Sequence, residues 1–112
     1  MRRIALIFML LANMGHAEDW RPLTTDEIKT TLSGQTLDYE NAWQEFLVSG
    51  RTLYNAGRDS WGYWEARGDQ YCSQWPPADG WACYDVFQKA ASIRFVGDSG
   101  EKTDGTLRET GE

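Results

Sequence analysis

The sequence predicts a mainly β domain, an antiparallel meander or small barrel preceded by one short N-terminal helix. Three observations carry that reading. The chain after Gly34 is built of short runs rich in aromatic and β-branched residues, broken by Gly and Asp, which is the pattern of strands joined by tight turns. Two of those turns fix the pairing of three consecutive strands. Only one segment, Leu23-Thr24-Thr25-Asp26-Glu27-Ile28, has the chemistry of a helix start.

Ahead of that segment, residues 1–17 read as a secretory signal peptide. Arg2 and Arg3 precede an unbroken apolar run from Ile4 to Ala12, and Gly15-His16-Ala17 places small residues where a signal peptidase cleaves. The run is about half the length needed to span a bilayer as a helix, and no Cys follows it to take a lipid anchor, so no membrane span is expected. Cleavage leaves a domain beginning at Glu18 and removes His16, the single histidine. It also removes Arg2 and Arg3 from the 11 basic residues, leaving nine against 17 acidic ones and a net charge of −8. That balance argues against nucleic acid or an anionic membrane as a partner.

Thr24 is placed to cap the helix, with Glu27 three residues on to complete a capping box and Leu23 to staple against Ile28. Ile28 and Leu32 then share one face, and Gly34 supplies a left-handed stop, giving a helix from Thr25 to Ser33. Trp43–Val48 and Arg51–Asn55 flank Ser49-Gly50 as a hairpin, but their apolar residues do not alternate, so their faces stay unassigned. Gly68-Asp69 suits a two-residue hairpin turn that sets Ala66 opposite Tyr71, Glu65 opposite Cys72 and Trp64 opposite Ser73. Symmetric pairing about Pro76-Pro77-Ala78-Asp79 then sets Tyr71 opposite Tyr84, Cys72 opposite Cys83, Gln74 opposite Trp81 and Trp75 opposite Gly80. Directly opposed cysteines are close enough to bond, and an exported chain with two cysteines reads as carrying one disulfide.

Alternation sorts this three-stranded unit into two faces. Trp64, Ala66, Tyr71, Ser73, Trp75, Ala82, Tyr84 and Val86 form the core face. Tyr63, Glu65, Arg67, Gln70, Cys72, Gln74, Trp81, Cys83 and Asp85 form the polar one, with the disulfide outside. Ser92–Val96 is a further strand. From Gly97 the composition collapses to Gly, Thr and charge, with Leu107 the one apolar residue. Residues 18–96 are therefore expected as the domain and 97–112 as a mobile acidic, Gly-rich tail, with Gly105–Arg108 as an alternative terminal strand.

The block Gly57-x4-Gly62-x-Trp64-x3-Gly68-Asp69-x2-Cys72-x2-Trp75, followed by Cys83-Tyr84 and preceded by Ser49-Gly50-Arg51-Thr52-Leu53-Tyr54, resembles the centre of small exported proteobacterial proteins of unknown function. The resemblance implies a compact, mostly antiparallel β domain outside the cytoplasm, in the periplasm or secreted. It brings no activity and no catalytic residue.

Without a histidine in the mature chain and with both cysteines oxidised, Ser-His and Cys-His nucleophile systems have no members, and no enzyme is expected. Acid-base work would fall to carboxylates, of which Asp59, Glu65, Asp79 and Asp85 are nearest; a hydrolase of envelope glycans is the alternative reading, and a purely structural envelope protein a third. Asp98, Glu101 and Asp104 lack the spacing of a calcium loop, so neither metal nor cofactor is expected. Tryptophan stands out, with six in the chain. Trp64 and Trp75 are expected in the core. Trp81, however, falls in a row with Gln74 and Tyr63 on the polar face, where two aromatics around an amide suit a binding platform for a protein or saccharide of the cell envelope. The loops holding Trp61 and Pro76–Gly80 are the other expected contacts.

Overall fold

The computed structural model describes residues 19–109, so the expected signal peptide, residues 1–17, lies outside the described residues. Its elements are a two-residue strand β1 (Arg21–Pro22), helix α1 (Thr25–Leu32), and strands β2 (Gln35–Asp38), β3 (Trp43–Phe46), β4 (Arg51–Asn55), β5 (Asp59–Arg67), β6 (Gln70–Gln74), β7 (Trp81–Lys89), β8 (Ser92–Val96) and β9 (Lys102–Leu107). Each of β2 to β9 pairs antiparallel with the next, and β9 returns to β2. The meander thus closes into an eight-stranded barrel, with β1 added on the β6 side of β7.

The expected register holds from Ala66↔Tyr71 to Gln74↔Trp81, including Cys72↔Cys83. These cysteines are disulfide-bonded, with Cα atoms 4.0 Å apart. The Gly68-Asp69 turn has both residues at positive φ, 58° and 59°, as a type I′ hairpin requires.

Two expectations are corrected. The acidic stretch after Gly97 is not a free tail as far as Leu107. β9 pairs with β8 along its length and with Asp38 and Leu37 of β2, so the domain runs past residue 96. Composition misled because β9 needs little apolar content: it buries Gly105 inside and is clasped outside by ion pairs. Arg94 on β8 donates to both carboxylate oxygens of Asp104 at 2.8 and 2.9 Å, and Arg108 donates to Asp38 at 2.5 and 3.1 Å. Trp61, expected on a loop, lies within β5 opposite Leu53; the strand begins at Asp59, before the run of apolar residues that signals it.

Helix α1 starts as its sequence dictates. The Thr24 hydroxyl accepts from the Glu27 amide at 3.3 Å, while the Glu27 carboxylate accepts from the Thr24 amide at 2.9 Å. The helix is pinned to the β5–β6 turn, because Thr25 donates through its amide and hydroxyl to the Asp69 carboxylate and its hydroxyl accepts from the Asp69 amide. It packs on β2, β5 and β6 and drives Ile28 and Leu32, both fully buried, into one end of the barrel. There they join Leu23, Leu37, Phe46, Trp64, Val86 and Ile93 in one apolar cluster. Among the described residues no helix is long and apolar enough to cross a membrane.

Candidate functional site

Barrel closure means that inward positions line a single interior, and the helix fills only half of it. The strand ends away from α1 belong to the loops at 39–42, 56–58, 75–80 and 97–101. Between them opens a cavity of about 930 Å³, within the range of small-molecule sites.

Its floor is Tyr71. This ring is 5 % exposed and sits edge-on to Phe46 at 5.7 Å and stacked with Trp64 at 6.4 Å on the packed side. On the open side it meets Phe95 at 5.0 Å and Tyr84 at 6.1 Å. One wall carries a run of three aromatics, Tyr39, Tyr54 and Trp75, with successive centroids 6.3 and 6.2 Å apart. They come from the ends of alternate strands, which is how a barrel layer is filled. Trp75 does not continue the ladder opposite Gly80, as expected, but turns inward over Gly62. A Cβ at Gly62 would lie 2.6 Å from the Trp75 ring and 2.6 Å from the Gln74 carbonyl, so only glycine admits this seat.

A buried polar chain runs through the floor. Tyr39 donates to the Gln44 side-chain oxygen at 2.7 Å, and the Gln44 nitrogen donates to Thr52 at 2.9 Å and to Tyr71 at 3.0 Å. Thr52 in turn donates to the Glu45 carbonyl at 2.8 Å. On the neighbouring strand, the Trp75 indole donates to the Ser73 hydroxyl at 3.1 Å. Burial pushes the Tyr71 phenol up to about 12 against the opposing contacts of Ser73 and Gln44, and burial likewise raises Tyr39. Both stay neutral hydroxyls at any physiological pH. The charged residues of the lining, Glu40, Lys102 and Asp104, are all exposed at the mouth.

Gln44 and Thr52 lie on the hairpin whose faces the sequence does not assign. Trp43 and Leu53 misled, since both point outward: Trp43 lies under the Arg108 guanidinium, 5.7 Å from its centroid, and Leu53 pairs with Trp61. Anchoring the alternation on Phe46 instead puts Gln44, Thr52 and Tyr54 inside.

The residues expected as a platform do come together. Tyr63, Gln74 and Trp81 are directly cross-paired on β5, β6 and β7; Trp61, two residues before Tyr63, borders the cavity as well. Trp61, Tyr63 and Trp81 are 41, 45 and 39 % exposed. Arg51 lies 4.3 Å over Trp61 and Arg67 5.2 Å over Trp81. The Gln74 amide donates one proton to the Asp79 carbonyl at 2.8 Å, which leaves its second N–H and its oxygen for other partners. The disulfide lies on this outer face, with Cys72 fully buried.

Three of the four carboxylates weighed for acid-base work have local partners: Asp59 accepts from Asn55, Glu65 pairs with Arg67 at 2.6 Å, and Asp85 accepts from Gln70, while Asp79 takes part through its backbone carbonyl. The carboxyls that shift among the described residues, Glu27, Asp38, Glu101 and Asp104, are all held down by hydrogen bonds from their neighbours, the direction opposite to that of a general acid. Among the described residues no group of three His, Cys, Asp or Glu side chains is close enough to hold a metal ion. No family model, curated protein or solved structure matches this chain.

Proposed function

We propose that this protein is a non-enzymatic binding module of the cell envelope, exported by its N-terminal signal, that takes one small molecule into the open half of its barrel. The observation that carries the reading is the 930 Å³ cavity, roofless at the mouth, floored by Tyr71 and walled by aromatic rings. An eight-stranded barrel is just wide enough either to be filled by its own side chains or to hold one small ligand. This chain does the first at the helix end and the second at the mouth. The disulfide and the apolar leader favour export.

A second reading rests on the outer row. Three partly exposed aromatics in register, each large and rigid, suit contact with an envelope protein or saccharide. The two readings separate by mutation. Thermal-shift screening of the mature protein against envelope small-molecule and glycan fractions should find a stabilising ligand whose effect is lost in Trp75→Ala and kept in Trp81→Ala. The reverse pattern would move the site to the outer row. A ligand-free result across the fractions, with both variants folded, would remove the cavity reading. Steady turnover of oligosaccharides by the mature protein would replace both with the hydrolase alternative.

A further inference from the structure

The hydrogen-bond direction in the cavity floor determines which end of a ligand enters first, and Thr52 fixes that direction. Its hydroxyl lies 2.8 Å from the Glu45 carbonyl oxygen, which can only accept, so the Thr52 proton is spent there. The Thr52 oxygen must therefore accept from the Gln44 amide 2.9 Å away, which fixes the amide nitrogen on that side. The same nitrogen is 3.0 Å from the Tyr71 oxygen, so Tyr71 also accepts. The amide oxygen is left to take the Tyr39 proton at 2.7 Å.

The protons of Tyr39 and Thr52 and both amide protons of Gln44 are thus spent, but the proton of Tyr71 is not. An indole nitrogen can only donate, so the Ser73 oxygen accepts from Trp75, and the acceptor beside its own proton is the Tyr71 oxygen. If the two hydroxyls turned toward each other, one proton would still remain. The cavity floor therefore presents a hydroxyl donor to whatever enters.

From this, and resting on the cavity reading above, we infer that the ligand class is an uncharged, planar molecule that enters with a hydrogen-bond acceptor, a carbonyl or ring oxygen, leading onto Tyr71 and Ser73. Planarity follows from the walls. Tyr54 on β4 and Phe95 on β8 come from strands four apart in a ring of eight, so they face each other across the interior and offer two ring surfaces to a flat body. Neutrality follows from the absence of any charged side chain below the rim among the described lining residues, since an ion there would lose its hydration without a counter-charge. A leading donor group would meet the floor's unspent proton and leave both unpaired, which costs more than a missing contact.

The test uses three matched probes with the mature, disulfide-bonded protein. Prodan is neutral and planar, with a ketone at one end, and its emission moves to the red when that ketone accepts a hydrogen bond. 2-(Dimethylamino)naphthalene lacks the ketone, and 8-anilinonaphthalene-1-sulfonate carries a charge. Prodan should bind one to one, about tenfold tighter than the ketone-free analogue, the scale of one good hydrogen bond; the sulfonate should bind weakest. Tyr71→Phe should shift bound Prodan emission to the blue and remove most of that tenfold preference, with the analogue's affinity changed by less than about twofold. Ser73→Ala, which leaves the Gln44 contacts in place, gives a second variant should Tyr71→Phe unfold. Equal binding of Prodan and its analogue, unmoved by either variant, would overturn the acceptor-first inference while leaving the cavity reading intact. Binding of neither would overturn both.

Discussion

The two ends of this barrel are made from the same strands and do opposite things. At the helix end, Phe46, Trp64, Val86 and Ile93 pack with Ile28 and Leu32 in one buried cluster; at the mouth, inward positions of β4, β6, β7 and β9 carry Tyr54, Ser73, Tyr84 and Thr103, and the interior stays open. Moving two residues along β3 from Phe46 to Gln44, or along β6 from Tyr71 to Ser73, crosses from one regime to the other. The lesson is that stability and a potential site are segregated along the barrel axis, with Tyr71 as the partition. A domain of this size has only a modest core, and here the helix adds to it from outside the sheet.

If that division is real, truncating the packed end should hurt far more than truncating the open one. Phe46→Ala is expected to cost about 3 to 5 kcal/mol by leaving a cavity among rigid neighbours, whereas Tyr84→Ala, which enlarges a space already open to water, should cost about 1 kcal/mol. Urea unfolding of the two variants measures both, and similar losses would erase the distinction.

Next in size is the outer staple. Replacing Cys72 and Cys83 together by Ser should lower stability by up to roughly 3 kcal/mol, the chain-entropy value for a loop of about a dozen residues. The same urea curves read it.

Gly62→Ala sharpens the comparison from the open side. The new methyl would press on the Trp75 ring and on a fixed carbonyl, an overpacking worth about 1 to 3 kcal/mol. Because Trp75 must leave its seat, its near-ultraviolet dichroism should change while that of the packed end persists. An unchanged spectrum would mean that Trp75 does not rest on Gly62.

The smallest effect concerns the closing strand. Hydrogen bonds from Arg108 hold the Asp38 carboxyl below its usual range, and Arg94 does the same for Asp104. Lowered carboxyl affinities stabilise the fold above the ordinary carboxylate range, near pH 4, and that contribution is lost as pH falls through the lowered values. Amide protection in Lys102–Leu107 should therefore drop on acidification from pH 6 to pH 3 before protection in β5 and β6 does. Simultaneous loss everywhere would show that β9 is not held separately.

Much of the fold was legible because a few residues over-determine it. The capping box at Thr24 and Glu27, the Gly68-Asp69 turn and the Cys72–Cys83 pair each act over short sequence distances, and together they set the helix and three strands in register. The closure by β9 was not legible in the same way. Its β2 partner Asp38 is 70 residues from Arg108, and its few apolar atoms mimic a solvated tail. The candidate site divided along the same line: the outer row Tyr63-Gln74-Trp81 followed from local register, but the cavity exists only once β2 and β9 meet, so no local pattern around Gln44 or Thr52 announces it. Tryptophan count was a weak guide for the same reason. Trp20, Trp43, Trp61 and Trp81 lie against cationic side chains, Trp61 also bordering the cavity, while Trp64 sits in the packed end and Trp75 in the open one.

That last distribution supplies the most direct test of the division of labour. In the 15N–1H spectrum of the mature protein, the Trp64 indole donates to the Leu47 carbonyl in the packed half, the Trp75 indole to Ser73 in the open half, and the Trp81 indole belongs to the outer row. Titration with Prodan should move the Trp75 signal and leave those of Trp64 and Trp81 in place. Movement of Trp81 with Trp75 unmoved would contradict the account, placing the site on the outside of the barrel and leaving its open half without a ligand.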